Sequence, residues 1–299
     1  MNRNSIGAVL GAALVLAIIT GYVWLRSFAR RFLRAKGRRG ERRAETLGLP
    51  TTPFEVERPD GRIRGALLHG ASGAAPTVIV THGWQSHASD MLAYAEPLLH
   101  AGYHVALFDT LGHGESDATE FVSARHFTED LLAVWRWASA RSETQPGIAL
   151  AGHSLGGTAA LLAAAEGARE GLVPRAIVTI GSPSDPVKGT EEWLAAKGYP
   201  AALMMKAVYR FWRPIIVWEP ERLKPVERAA EIRVPVLVLH GTHDRQIGTH
   251  HARRLAEAIP GARLELLEGA DHWTMPKHPG FAPAIVEFLN SAFAGVARR

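Results

Sequence analysis

Short apolar runs alternate with longer segments of helical periodicity along residues 54–294. The runs predict strands at 54–57, 63–69, 76–81, 104–108, 148–151, 176–180, 236–239 and 263–267. The intervening segments predict helices at 89–101, 124–141, 155–168, 249–259 and 283–294. Several strands are continuously apolar, which is typical of a sheet buried on both faces. The alternation therefore indicates an α/β fold with a mainly parallel sheet and helices on both faces. Pro59-Asp60-Gly61, between the first two runs, predicts a hairpin turn.

One segment, 182–232, interrupts the alternation and is too long for a simple connection. It is rich in aromatic and methionine side chains: Trp193, Tyr199, Met204, Met205, Tyr209, Phe211, Trp212 and Trp218. We interpret it as a small helical cap over the strand ends, with its apolar side facing a binding site. An extra packed helix pair without a role in binding is the alternative.

The N-terminal stretch Ile6–Leu25 has 20 residues and no charge. A helix of that length spans about 30 Å, the thickness of a bilayer core. Tyr22 and Trp24 lie at its far end, where aromatic residues favour the membrane interface. We predict an uncleaved membrane anchor and basic juxtamembrane segment over 1–45, followed by one domain over 46–299. A cleaved signal peptide and a buried core helix are the alternatives.

Basic residues are concentrated at the same end of the chain. The net charge is +5, yet residues 1–45 hold ten Lys/Arg and two Asp/Glu, and the remainder has a net charge of −3. This distribution argues against nucleic acid as a partner. The nine basic residues between Arg26 and Arg43 predict that this flank and the body are cytoplasmic. The chain contains no cysteine, which excludes disulfides and thiolate chemistry.

Candidate chemistry begins at the stretch Gly147–Gly157, GIALAGHSLGG. An apolar strand meets a helix at Gly152-His153-Ser154-Leu155-Gly156, the context of a G-x-S-x-G nucleophile elbow. The glycines permit a tight turn that presents Ser154 above the sheet edge. A glycine-rich turn with an N-capping serine is the alternative interpretation of this pattern alone.

A serine nucleophile needs a base, an acid that orients the base, and an oxyanion hole. Enzymes with this turn place the acid and then the histidine after the serine. Asp244 and His272 follow in that order, each just past a predicted strand, with Asp185 and Asp271 as alternative acids. The backbone N–H groups of Trp84 and Leu155 are the candidate oxyanion donors. The candidate site therefore consists of Ser154, Asp244, His272, Trp84 and Leu155.

Five motifs give the chain from about Phe54 onward a resemblance to the α/β-hydrolase superfamily, especially its single-domain esterases and monoacylglycerol-lipase-like enzymes. They are HGW at 82–84, FDTLGHGESD at 108–117, GHSLGG at 152–157, LHGTHD at 239–244 and GADHW at 269–273. The resemblance implies the α/β-hydrolase fold, Ser154 as nucleophile, His272 as general base and acid, and Asp244 as its partner. It also implies a cap after the sixth strand, which matches 182–232.

From these patterns we expect a membrane-anchored serine hydrolase of carboxylic esters that needs no cofactor or metal. An amidase or thioesterase with the same triad is an alternative, as is a non-catalytic receptor or scaffold of the same fold. A metal site among His240, His243, Asp244, His250 and His251 is disfavoured because their spacing has no established ligand pattern. We expect His153 to point away from Ser154, and His113 to have a structural role.

Overall fold

The computed structural model describes residues 3–33, 48–119, 121–206, 208 and 220–294. A single eight-stranded sheet forms the centre of the described region. Its strands are β1 (Thr51–Arg58), β2 (Gly61–Leu68), β3 (Thr77–Thr81), β4 (His104–Asp109), β5 (Ile148–His153), β6 (Ile177–Ile180), β7 (Val236–Gly241) and β8 (Arg263–Leu267). Each corresponds to one of the eight predicted strands.

The strands lie in the order β1-β2-β4-β3-β5-β6-β7-β8. All pairs from β4 to β8 are parallel, whereas β2 runs antiparallel to both of its neighbours. β1 and β2 form the predicted hairpin, with Arg58 paired to Gly61 across the turn. The carboxyl ends of the parallel strands therefore meet at one edge, where ligands bind in sheets of this kind.

Helices pack on both faces of the sheet, which confirms the predicted fold class. The helices are α1 (Arg3–Leu33), α2 (Leu92–His100), α3 (Ala124–Ser139), α4 (Leu155–Gly167), α5 (Pro186–Ala196), α6 (Thr249–Ala258) and α7 (Phe281–Ala294). Of these, α2, α3, α4, α6 and α7 contribute side chains to the two cores that flank the sheet. Alternate residues of a strand face opposite layers. In β3, Ile79 joins the core beneath α3, α4 and α6, whereas Val78 and Val80 join the core beneath α2 and α7.

The predicted cap region contains α5, a helical segment at 201–206, and two short 3₁₀ helices, Pro220–Leu223 and Pro225–Glu231. Four of its aromatic residues lie outside the described residues: Tyr209, Phe211, Trp212 and Trp218. Leu194, Ala201 and Met205 form a small apolar cluster in the described part. The boundaries 182–232 stay a prediction.

Helix α1 is longer than the predicted span, because it continues through the first basic residues to Leu33. Its segment Leu10–Phe28 is long and apolar enough to cross a membrane, by length and composition alone. Leucine and isoleucine side chains within this segment are exposed. Residues 34–47, which hold the remainder of the basic cluster, lie outside the described residues.

Candidate active site

Ser154 occupies the sharp turn between β5 and α4. Its backbone has φ 53° and ψ −120°, a conformation that L-residues rarely adopt and that costs energy to maintain. The flanking glycines are required by close approach of the backbone. A Cβ on Gly152 would collide with the backbone of Gly156, and a Cβ on Gly156 would collide with the carbonyl oxygen of Thr81. The local sequence thus produces the strand–turn–helix geometry in which Ser154 stands at the apex.

Asp244 and His272 come together from the loops that follow β7 and β8. The Nδ1 atom of His272 lies 2.6 Å from Oδ2 of Asp244, and both side chains are buried. The other carboxylate oxygen, Oδ1, accepts hydrogen bonds of 2.9 Å from the backbone N–H groups of Gln246 and Ile247. These contacts fix the orientation of the carboxylate and leave one oxygen directed at the imidazole.

The pKa of Asp244 reflects a competition between burial and hydrogen bonding. Burial raises the pKa, but the side-chain hydrogen bonds of His240 and His272 outweigh it and hold the pKa well below its ordinary value. Asp244 is therefore ionised at neutral pH. A buried carboxylate in contact with Nδ1 favours the tautomer that carries its proton there, which directs the Nε2 lone pair outward.

The loop after β3 passes directly beside Ser154. A Cβ on Gly83 would lie 3.1 Å from the Cβ of Ser154, a tight contact that glycine avoids. The next residue, Trp84, lines the same cavity as Ser154 and Leu155. The two predicted oxyanion donors are thus on the two backbone segments that border Ser154.

A cavity of about 720 Å³ opens above these residues. Ser154, Leu155, Trp84 and His272 line it, and Asp244 lies behind His272. The structure therefore brings the five predicted residues to one place, and the assignment of roles to them stays a prediction. Most of the lining is apolar, with contributions from the predicted cap region: Pro186, Val187, Thr190, Trp193, Met205 and Val208.

His153 is buried and is not among the described residues that line the cavity. Its Nε2 atom donates a hydrogen bond of 2.8 Å to the backbone carbonyl of His272, and its ring packs 4.5 Å from the His272 ring. Burial, followed by the nearby His272, lowers the pKa of His153 to about 3, so the ring is neutral. His153 thus connects the residue before Ser154 to the loop that carries His272.

The alternative acids have other roles in the described structure. The carboxylate of Asp185 caps α5 by accepting hydrogen bonds from the N–H groups of Val187 and Lys188. Asp271 is exposed and accepts hydrogen bonds from the N–H groups of Trp273 and Thr274 in its own turn. Each carboxylate stabilises the local backbone.

The histidines near Asp244 separate into different environments. His240 contacts the backbone carbonyl of Ile247. His250 and His251 instead meet Glu192 of α5, at 3.1 and 3.2 Å. His251 Nδ1 also accepts a hydrogen bond from the backbone N–H of Ser184, which directs the His251 proton to Nε2 and towards Glu192. Glu192, His250 and His251 thus form a polar cluster between α5 and α6.

Three residues of the cavity wall were not among the predicted site residues. Gln85 has φ 60°, and it and Ser154 are the two non-glycine residues with positive φ in the described part of the chain. Trp273 packs its ring 5.3 Å from that of His272. Arg31 reaches the cavity from α1. Gln85 directly follows the HGW motif and Trp273 is the last residue of GADHW, so these motifs could have indicated both residues. No local pattern connects Arg31 to the site.

Comparison with known proteins adds a family match. A family model described as the alpha/beta hydrolase family matches residues 66–284, which include every predicted site residue.

Among curated relatives, human protein ABHD12B is 27% identical over 232 residues, which cover 73% of this chain and 62% of that protein. The lysophosphatidylserine lipase ABHD12 of Rattus norvegicus is 33% identical over 163 residues, covering 52% of this chain and 37% of the relative. The chain thus spans less than two thirds of the length of both relatives.

Solved structures share the fold at low sequence identity. The Pyrococcus furiosus esterase Pf2001 superposes with a TM-score of 0.67 at 22% identity, covering 86% of this chain and 98% of that one. Est1E from Butyrivibrio proteoclasticus gives a TM-score of 0.63 at 17% identity, covering 81% and 99%.

Proposed function

The chain belongs to the alpha/beta hydrolase family, and we propose that it is a membrane-anchored serine hydrolase that cleaves carboxylic esters through an acyl-enzyme on Ser154. The observation that carries this proposal is the buried 2.6 Å contact between Asp244 and His272, beside a cavity that Ser154 also lines. A carboxylate, an imidazole and a strained serine at one cavity have the chemistry of a catalytic triad.

In the proposed reaction, Ser154 Oγ attacks the ester carbonyl carbon while His272 Nε2 takes the hydroxyl proton. Asp244 stabilises the imidazolium that forms. The N–H groups of Trp84 and Leu155 bind the developing oxyanion, and losing one such donor typically costs about 10²–10³ in rate. The tetrahedral intermediate then collapses, and the leaving alkoxide receives the proton from His272. Water, deprotonated by His272, then attacks the acyl-enzyme carbonyl carbon, and the second tetrahedral intermediate collapses with cleavage of the bond to Ser154 Oγ. His272 returns the proton to this oxygen, which releases the acid and regenerates the Ser154 hydroxyl.

Lipid-like acyl esters are the substrates we favour. The apolar cavity walls suit an acyl chain, and a volume of about 720 Å³ falls in the range of about 300–1,000 Å³ that encloses one small ligand. The name of the lysophosphatidylserine lipase relative also supports a lipid ester. In this proposal residues 182–232 form the cap that selects the acyl chain.

Residues 1–45 would hold the domain at the membrane, with the N-terminus outside and the domain 46–299 in the cytoplasm. The apolar segment Leu10–Phe28 and the basic residues that follow it support this orientation. Protease protection in sealed vesicles tests the orientation. Digestion of the body from the extracytoplasmic side would contradict it.

A fluorophosphonate probe tests the serine mechanism directly. We expect the wild-type chain to be labelled and Ser154→Ala to be unlabelled, with both unfolding at the same temperature. Labelling that survives in Ser154→Ala would refute the assignment. A panel of esters, thioesters and amides with matched acyl chains then defines the bond that is cleaved, and binding without turnover of any of them would indicate a receptor.

A further inference from the structure

The far end of α1 lies against the substrate cavity. The membrane-compatible segment ends at Phe28, whose ring packs on the cap cluster formed by Leu194, Ala201 and Met205. One turn further on, Arg31 lines the cavity together with Ser154 and His272. The helix therefore contributes a wall of the cavity in addition to its apolar span.

Helix geometry identifies the face of α1 that makes this contact. At 100° per residue, Arg31 lies about 60° around the helix from Phe28, whereas Arg26 lies about 160° away, on nearly the opposite side. Trp24, one turn before Phe28, stacks on it at a centroid distance of 5.9 Å. Arg31 thus continues the face directed at the cap, and Arg26 provides an exposed arginine on the same helix outside the cavity lining.

The described side chains that line the cavity can carry positive charge but not negative charge. Among the described lining residues there is no aspartate or glutamate, and Arg31 and His272 are the ionisable ones. The guanidinium of Arg31 is exposed, and its Nε donates a long hydrogen bond of 3.4 Å to the carbonyl of Ser27 in its own helix. No ion pair within the described ranges includes Arg31. A guanidinium in this state can bind a carboxylate or phosphate with two parallel hydrogen bonds.

The depth of Arg31 matches that of a lipid headgroup. It lies three residues beyond Phe28, which corresponds to about 4.5 Å along the helix axis. If Leu10–Phe28 crosses the hydrocarbon core, Arg31 is at the level of polar groups, and the cavity opens beside it. An ester held in the leaflet could enter the cavity with its acyl chain and keep its polar group at Arg31.

We propose that Arg31 is a specificity-determining residue that binds an anionic group on the alcohol part of a membrane-resident monoacyl ester. This inference rests on the proposed function and adds a role for α1, which becomes part of the substrate site. The chemistry shared by the candidate substrates is one acyl chain, one scissile ester and a phosphate or carboxylate.

The test uses the full chain in micelles of a neutral detergent at about 0.15 M salt, where the field of exposed charges is screened beyond about 8 Å. Three esters with the same acyl chain are compared: a monoacylglycerol, its 3-phosphate, and the monoacyl ester of glyceric acid. The last two distinguish a phosphate from a carboxylate. The measured quantity is the ratio of kcat/KM for each anionic ester to kcat/KM for the neutral ester.

We expect Arg31→Gln to lower this ratio at least tenfold for one or both anionic esters, because a charge-assisted hydrogen bond is lost. The ratio in Arg26→Gln should stay within twofold of wild type. An unchanged ratio in Arg31→Gln, or an equal decrease in Arg26→Gln, would overturn the proposal. Labelling of Ser154 by a neutral fluorophosphonate distinguishes failure of the Arg31 proposal from failure of the proposed function. If the wild-type chain is not labelled, the proposed function itself is wrong.

Discussion

Replacing Asp244 with asparagine exchanges one buried carboxylate oxygen for an NH₂ group without a large change in shape. The N–H groups of Gln246 and Ile247 both donate to Oδ1, so the carbonyl oxygen of asparagine should keep that position. Its NH₂ group then occupies the position of Oδ2, 2.6 Å from Nδ1 of His272. Because an NH₂ group cannot accept a hydrogen bond, Nδ1 must become the acceptor and the imidazole proton must move to Nε2.

We expect this substitution to lower kcat by about 10⁴, since Nε2 can no longer take the proton of Ser154. The loss of the Asp244 charge predicts a decrease in kcat of similar size. A carboxylate and an imidazolium 2.6 Å apart attract each other by about 6 kcal/mol at an effective dielectric constant of about 20. A factor of 10⁴ in rate corresponds to about 5.4 kcal/mol.

The assay is kcat on a short p-nitrophenyl ester together with the rate of fluorophosphonate labelling. Asp271→Asn is the matched control, because Asp271 is an exposed carboxylate that caps the same loop as His272, and an asparagine oxygen can still accept its hydrogen bonds. We expect this control to remain within threefold of wild type. A kcat for Asp244→Asn within tenfold of wild type, with unchanged thermal unfolding, would refute the reasoning from charge and tautomer.

Three further predictions concern the surroundings of Ser154. Burial lowers the pKa of His82 to about 4 and that of His153 to about 3, so between pH 6.5 and about 4 the unfolded state binds protons that the folded state does not. Stability should therefore fall by about 4 kcal/mol for the pair from pH 7 to 5, and equal denaturant midpoints at these two pH values would contradict this. Gly83→Ala should lower kcat at least tenfold at unchanged unfolding temperature, because its Cβ would press on Ser154 at 3.1 Å; full activity would show that the loop can move away. His153→Ala should lower kcat about tenfold with KM within twofold, and His153→Gln should restore it through its own N–H donor; an equal loss in both would assign His153 to packing alone.

Burial on both faces made the strands predictable from the sequence. β3 and β5 have no exposed position, so their centres, 78–80 and 148–151, are unbroken apolar runs. The elbow was predictable for a related reason, since steric contact at Gly152 and Gly156 excludes every other residue. In these segments local sequence and tertiary environment impose the same requirement.

The N-terminal helix and the histidine cluster show what the sequence could not reveal. Arginine is a good helix former, so the charge that ends the apolar run at Leu25 does not end the helix, which continues to Leu33. The approach of Arg31 to the cavity depends on how α1 packs against the cluster of Leu194, Ala201 and Met205, and no short-range pattern encodes that contact. Likewise, Glu192 in α5 is far in sequence from His250 and His251 in α6, so no local pattern predicts that these side chains meet.

Buried histidines connect the three loops of the candidate site to the sheet. Each of the strands β3, β5 and β7 has a histidine near its carboxyl end, and this side chain contacts a backbone carbonyl in a loop of the candidate site. The pairs are His82 with Gly83, His153 with His272, and His240 with Ile247. Each such hydrogen bond contributes about 1 kcal/mol net, and losing a buried partner costs more. The second ring nitrogen of His82 accepts the N–H of Thr110, so its protonation would break one contact while adding a buried charge. Acid should therefore loosen the loop that carries Trp84, the predicted oxyanion donor, at a higher pH than global unfolding. Amide hydrogen exchange of this loop and intrinsic tryptophan fluorescence, titrated in parallel, can resolve the two transitions. Coincident transitions would mean that these loops lose their structure only when the sheet does.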